Sequence, residues 1–235
     1  SGSGEPHPYV LVGWDGTMRS TMILAHELGH AAHFHLSHRS QTGYDRHGSL
    51  LLGEAASTTA EALVGAWLIE HTDDPRTRRW FVMHLLTTYY HNFVRHLIES
   101  ELQRRLYAMA EENVPITADL LCRVQGEILG EFWGDAVVID DGARLTWMRQ
   151  VHYYDRRLYS WSYAGGLTIG VGVVRAIQRE GLCAAERWVQ VLKAGGSASP
   201  LDLARLAGVD LTRPEPMREA VKYVAQLIDE LGRSF

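Results

Sequence analysis

Two histidines four residues apart, His26 and His30, constrain this chain more than any other feature. Residues i and i+4 of an α-helix share one face, one turn apart, so a helix through this segment brings both imidazoles onto one point. Glu27 stands beside them. The run His26-Glu27-Leu28-Gly29-His30 is an H-E-x-x-H pattern, in which two histidines hold a zinc ion and the glutamate reaches the water that the ion activates. Zinc lowers the pKa of that water to roughly 7, and a neighbouring carboxylate can then take its proton. The segment predicts a helix from about Thr21 to His38, capped by Thr17 or Ser20. Gly29 inside such a helix costs ~1 kcal/mol against alanine, which is easier to explain if something packs closely there.

Catalytic zinc usually takes three protein ligands and keeps one position open. Glu54, at the start of a second expected helix from about Leu50 to His71, is a candidate for the third. A loop between antiparallel helices could return it to the histidines. Taken alone, Glu54 reads first as an acid favoured by the macrodipole near a helix N-terminus. Glu61, two turns further along, could accept a hydrogen bond from a ligand histidine and hold its tautomer. The three-histidine extension of the motif needs glycine at position 33 and histidine at 36. Here those positions are His33 and Leu36, which excludes that site and favours a glutamate as third ligand. His33 is expected to line the cleft. His35, His38 and His47 read as solvated or satisfied by local hydrogen bonds.

The rest of the chain sets the background. Its 235 residues are 46% apolar and carry a net charge of −5, with signs mixed along the sequence. There is no basic face to bind nucleic acid. Cys122 and Cys183 are expected as buried free thiols rather than a bridge. The longest apolar stretch, Tyr163 to Val174, is too short to span a bilayer and reads as a buried helix. No signal peptide is visible, so a cytoplasmic protein without membrane contact is expected. The opening Ser1-Gly2-Ser3-Gly4 looks like a linker or expression scar, which assigns residues 1–7 to it and 8–235 to one helical catalytic domain. Pro8 to Trp14 reads as a short strand ending in an Asp15-Gly16 turn. A long helical pattern runs from Pro75 to about Glu112 with a kink, and another helix from Thr117 to about Trp133. Asp140-Asp141-Gly142 is a turn, the second half of 146–180 is helical, and short helices follow Gly181, Pro200 and Pro214. The expected fold is mainly α, a helical zincin-like domain with at most a small β element near the N-terminus.

Two blocks, His26-Glu27-Leu28-Gly29-His30-Ala31-Ala32-His33 and Gly53-Glu54-Ala55-Ala56-Ser57-Thr58-Thr59-Ala60-Glu61, resemble the oligoendopeptidase F branch of the thimet oligopeptidase family. Pro8 to Val12 and Ile23 to Ala25 resemble it too. A third block, His152-Tyr153-Tyr154 with Tyr159-Ser160-Trp161-Ser162-Tyr163-Ala164-Gly165-Gly166, is similar to that family's late histidine- and tyrosine-rich segment. The resemblance implies zinc ligands at His26, His30 and Glu54, one ion per chain, with Glu27 as general base. It matches Ser57 and Glu61 to the second-helix motif. It implies that His152 contacts substrate, that Tyr159 and Tyr163 are candidates to stabilise the oxyanion, and that Tyr154 lines the site. Phenol and imidazole donors aimed at a developing oxyanion can each contribute a few kcal/mol. Trp161 stands where the family commonly has another tyrosine. The resemblance covers only the family's catalytic C-terminal part, without the N-terminal helical half that closes the channel over the zinc.

The expected function is therefore zinc-dependent endopeptidase cleavage of oligopeptides. A second reading is a catalytically weak zinc- and peptide-binding domain that needs the missing half, or a partner chain such as a second copy, to close its cleft. A third is a helical scaffold without metal.

Overall fold

A computed structural model describes residues 7–155 and 158–235. The longer helices are α1 (Met18–Ser40), α2 (Leu50–Glu70), α3 (Pro75–Tyr89), α4 (His96–Glu111), α5 (Ala118–Trp133), α6 (Trp161–Glu180), α7 (Leu182–Ala194), α8 (Pro200–Leu206) and α9 (Glu215–Arg233). The described residues form two compact units, one of residues up to Tyr90 with Gly165–Phe235, the other of His91–Ala164.

In the first unit the helix starts are written in side chains. Thr17 caps α1 by accepting the Ser20 N–H, and Asp15 gathers the Thr17 N–H and the Thr17 and Ser20 hydroxyls. Ser49 caps α2 through the Leu52 N–H. Asp74 caps α3 through the Arg76 and Thr77 N–H groups, with Pro75 at the first helical position. Helix α2 is the centre of this unit. Its Leu51, Leu52, Ala55 and Ala56 pack with Ile169 and Val173 of α6, Trp188 and Val191 of α7, and Leu203 and Ala204 of α8. Burying a leucine or valine in such a core stabilises by ~1.5–3 kcal/mol.

Because α2 is surrounded, its polar residues are buried as well. The Thr58 and Thr59 hydroxyls donate back to the carbonyls of Glu54 and Ala55, each at 2.6 Å, which satisfies them inside the helix. Two glycines let neighbouring helices reach the backbone of α2. A Cβ on Gly29 of α1 would meet Ala56 O at 2.5 Å and Ser57 Cα at 2.6 Å. A Cβ on Gly166 of α6 would meet Glu54 Cβ at 2.8 Å and Ala55 N at 2.9 Å. The unfavourable glycine within α1 is thus explained by close approach.

In the second unit, Thr117 caps α5, and Ile98 and Leu102 of α4 pack with Leu120, Val124, Ile128 and Leu129 of α5. The expected kink in the 75–112 pattern is a π-helical turn, Tyr90–Arg95.

Several expectations are corrected. Pro8 to Trp14 forms no strand, and no strand occurs among the described residues. A β-rich run pairs only if a neighbouring strand receives its N–H and C=O groups, and none does here. Asp140 caps a short helical turn, Asp141–Arg144, where a plain turn was expected. The final helix α9 has 19 residues and is not short. Trp67, near the end of α2, is exposed and stacks on His71. Cys122 is half-buried and Cys183 exposed; both are free, but neither is a core thiol. The apolar run Tyr163 to Val174 lies in α6, with Leu167, Ile169, Val171, Val173 and Val174 buried. No helix among the described residues is long and apolar enough to cross a membrane.

Candidate metal centre

The close packing of α1 on α2 brings Glu54 to the two histidines. Ligand atoms of His26, His30 and Glu54 all lie within 4.8 Å of one another. Glu54 Oε2 is 3.8 Å from His26 Nε2 and 4.0 Å from His30 Nε2, and the two rings meet edge to face. Donors of a tetrahedral zinc at ~2.0–2.1 Å stand roughly 3.3 Å apart. The cluster is slightly wider than that, and its two imidazoles and one carboxylate are the donor set such an ion takes, so the residues fit it.

Glu54 is buried; the Ser57 hydroxyl donates to its backbone carbonyl at 3.0 Å and lies 3.4 Å from its Oε2. Ser57 is fully buried, so it meets Glu54 and not solvent. Glu61 accepts from His26 Nδ1 at 3.3 Å, which leaves Nε2 of that ring facing Glu54. Glu61 also receives the Thr88 hydroxyl at 2.5 Å and lies 3.4 Å from His84 Nε2. Burial acts to raise the Glu61 pKa, but the His26 hydrogen bond, the nearby His84 imidazole and the Thr88 hydroxyl bring it down to about 2. Burial acts to lower the His26 pKa, yet the bond and charge of Glu61 leave it raised. Burial leaves that of His30 lowered, against the pull of Glu54.

Glu27 is half-buried on α1. With His30, Ala31 and Phe34 it lines a cavity of about 460 Å³ whose other wall is His7–Val10. The first part of the segment expected as a strand, Pro8 to Val10, is thus a wall beside the candidate base. His33 does not line this cavity. Its ring is buried under Gly48, where an added Cβ would meet His33 Cε1 at 2.6 Å, and burial first, then nearby His30, lowers its pKa to about 4. Position i+3 carries His33 to the flank of the helix covered by the loop before α2. His38 is buried and bonded to the Phe34 carbonyl at 2.9 Å; His35 is half-buried and His47 exposed.

The histidine and tyrosines of the late block lie in the second unit. Ring centroids of His152, Tyr159 and Tyr163 are 5.0 Å (His152–Tyr159), 5.1 Å (Tyr159–Tyr163) and 5.6 Å (His152–Tyr163) apart. Tyr154 is largely exposed and borders a cavity of about 200 Å³ with Leu102, Leu106, Tyr107 and Trp147. Sequence reading passed over His84 and Thr88, which join Glu61 from α3. It also passed over Glu99 and His96 of α4. An i, i+3 histidine–glutamate pair on one helix is the signal that could have marked the latter.

The described residues are mainly helical, with His-Glu-x-x-His on one helix and a buried glutamate on the next. The sequence profile of Peptidase family M3 matches residues 2–223. The chain belongs to that family. It is 32% identical over 231 residues to the oligopeptidase PepF of Bacillus subtilis, covering 98% of this chain and 34% of the relative. Among solved structures it is similar to a chain from Chlamydophila abortus, with a TM-score of 0.84 at 27% identity, over 98% of this chain and 38% of that one. Oligoendopeptidase-F from Enterococcus faecium gives a TM-score of 0.78 at 27% identity, over 92% of this chain and 39% of that one. The chain thus spans between a third and two fifths of the length of these relatives.

Proposed function

We propose that this chain is the catalytic part of a zinc-dependent endopeptidase that cleaves oligopeptides, with residues 8–235 as its catalytic domain. The observation that carries this is the convergence of His26, His30 and Glu54 beside Glu27 in a chain of a peptidase family. His26, His30 and Glu54 would hold the ion. When bound, zinc supplies a Lewis acid for the scissile carbonyl and a water acidified to roughly pKa 7.

The chain's own residues do the rest. Glu27 accepts the proton of the attacking water and passes it to the leaving amine. Glu61 holds the His26 ring through Nδ1, so that Nε2 is the ligand atom. Ser57 steadies the Glu54 carboxylate. His152, Tyr159 and Tyr163 are assigned as donors to the developing oxyanion, and Tyr154 as a residue beside the substrate. The two free thiols suit the cytoplasm.

The test replaces Glu27 with glutamine and follows a quenched oligopeptide. Loss of a general base costs ~10²–10⁴ in rate, with bound zinc retained. Near-wild-type turnover by a folded Glu27→Gln protein would sink the assignment. His26→Ala should abolish stoichiometric zinc. The second reading, a zinc- and peptide-binding domain completed by an N-terminal half or a second copy, is favoured by the coverage of only 34% of a relative. One tightly held zinc without cleavage of any peptide would select it.

A further inference from the structure

The second unit contains a buried polar hub that the mechanism above does not use. Glu99 of α4 is 6% exposed, and the partners of its Oε2 are more deeply buried still. That oxygen accepts from His96 Nδ1 at 2.6 Å and from Ser160 Oγ at 3.3 Å, and Gln150 Nε2 donates to it as well. Arg95 Nε reaches Oε1 at 3.1 Å. A carboxylate taken out of water is costly unless its lone pairs are filled, and this one is filled by four donors.

The placement of those donors is informative. Gln150 and Ser160 stand at the two ends of the stretch that carries His152, Tyr154 and Tyr159. One carboxylate therefore ties both ends of that stretch to α4. His96, 1% exposed, presses its ring on Tyr163 with centroids 4.0 Å apart and planes 9° from parallel. Its Nε2 faces His91 Nε2 at 3.1 Å, so the His96 ring is held at both nitrogens. Contact then passes from Tyr163 to His152 and Tyr159.

We propose that Glu99 is a positioning residue: through Gln150, Ser160 and His96 it fixes the His152, Tyr159 and Tyr163 donors in one arrangement. This rests on the reading of those three residues as oxyanion donors. Groups that must meet a developing charge gain from being held in place beforehand. A carboxylate that locks the side chain behind a functional one is worth ~10–100-fold when removed.

The experiment takes the zinc-loaded chain and compares Glu99→Gln, Tyr163→Phe and the double variant with Tyr159→Phe and His152→Gln. Glu99→Gln should lower kcat by ~10–100-fold with KM little changed and zinc content intact. Tyr163→Phe should cost ~10²–10³. In the Tyr163→Phe background the Glu99→Gln loss should shrink, because the two residues act through one path. The Tyr163 ring protons, displaced in NMR spectra by the stacked imidazole, should move in Glu99→Gln. His96→Asn, which removes the stacked ring, serves the same comparison should Glu99→Gln not fold. Full turnover in Glu99→Gln or His96→Asn while the tyrosine variants are impaired overturns the assignment alone, as do losses that multiply fully. Wild-type turnover in Tyr159→Phe, Tyr163→Phe and His152→Gln together, or no cleavage by the zinc-loaded chain, overturns the oxyanion reading and this assignment with it.

Discussion

Replacing Gly29 with alanine tests the link between helix packing and the metal centre. In an open helix the change would stabilise by ~1 kcal/mol through propensity. Here the new Cβ would lie 2.5 Å from Ala56 O and 2.6 Å from Ser57 Cα, against 3.4 Å for ordinary contact. Both are backbone atoms of α2 and cannot swing aside. Helix α1 must withdraw by roughly an ångström, an overpacking that typically costs ~1–3 kcal/mol. The net loss is ~0–2 kcal/mol, at most about 4–8 °C in melting temperature for a chain of this size. The displacement also widens the gaps of His26 and His30 to Glu54, already 3.8 and 4.0 Å, so zinc affinity should fall. Thermal melting with and without chelator reads the first effect, and competition with a chromogenic chelator reads the second. Gly130→Ala in α5 is the control, because nothing lies within 4 Å of its Cβ position; it should melt slightly higher than wild type. A Gly29→Ala protein that melts as high as wild type and holds zinc as tightly would refute the reasoning.

Two further outcomes follow from buried ionisable groups. His33 has a folded-state pKa of about 4 against an ordinary 6.5, so the unfolded chain binds its proton more readily. Stability is unaffected above pH 6.5 and declines by about 3 kcal/mol as pH falls through the interval to 4. His33→Leu should flatten the denaturant midpoint over that interval, and an unchanged slope would count against the burial argument. Glu61→Gln leaves all three proposed ligands in place but loosens the His26 ring, and zinc affinity should drop by ~10–100-fold in the same competition assay.

Helix boundaries were largely legible because their determinants are local. Thr17, Asp74 with Pro75, and Thr117 announce helix starts through groups within three residues of themselves. His26 and His30 converge by helical geometry alone. Glu54 was ambiguous for the opposite reason. An acid near a helix start and a candidate metal ligand look identical in sequence, and it is the approach of α1 through Gly29 that brings Glu54 to the two histidines. His33 was misplaced because i+3 spacing does not say which flank a loop will cover, and Gly48 covers that one. Pro8 to Trp14 was misread because β propensity is a preference for a pleated neighbour, not a neighbour itself.

By itself the sequence determined the helical class, the caps, and the presentation of two histidines and a glutamate on one helix face. Each of these depends on interactions within about one turn of chain. The tertiary structure alone decided that Glu54 and Glu61 meet those histidines, that His84 and Thr88 stand behind Glu61, and that Glu99 gathers Gln150, Ser160 and His96. Apart from the His96–Glu99 pair, three positions apart on one helix, those contacts join residues 23 to 61 positions apart. They depend on where glycines let backbones touch and on which polar groups burial forces to pair, and neither is encoded in local spacing.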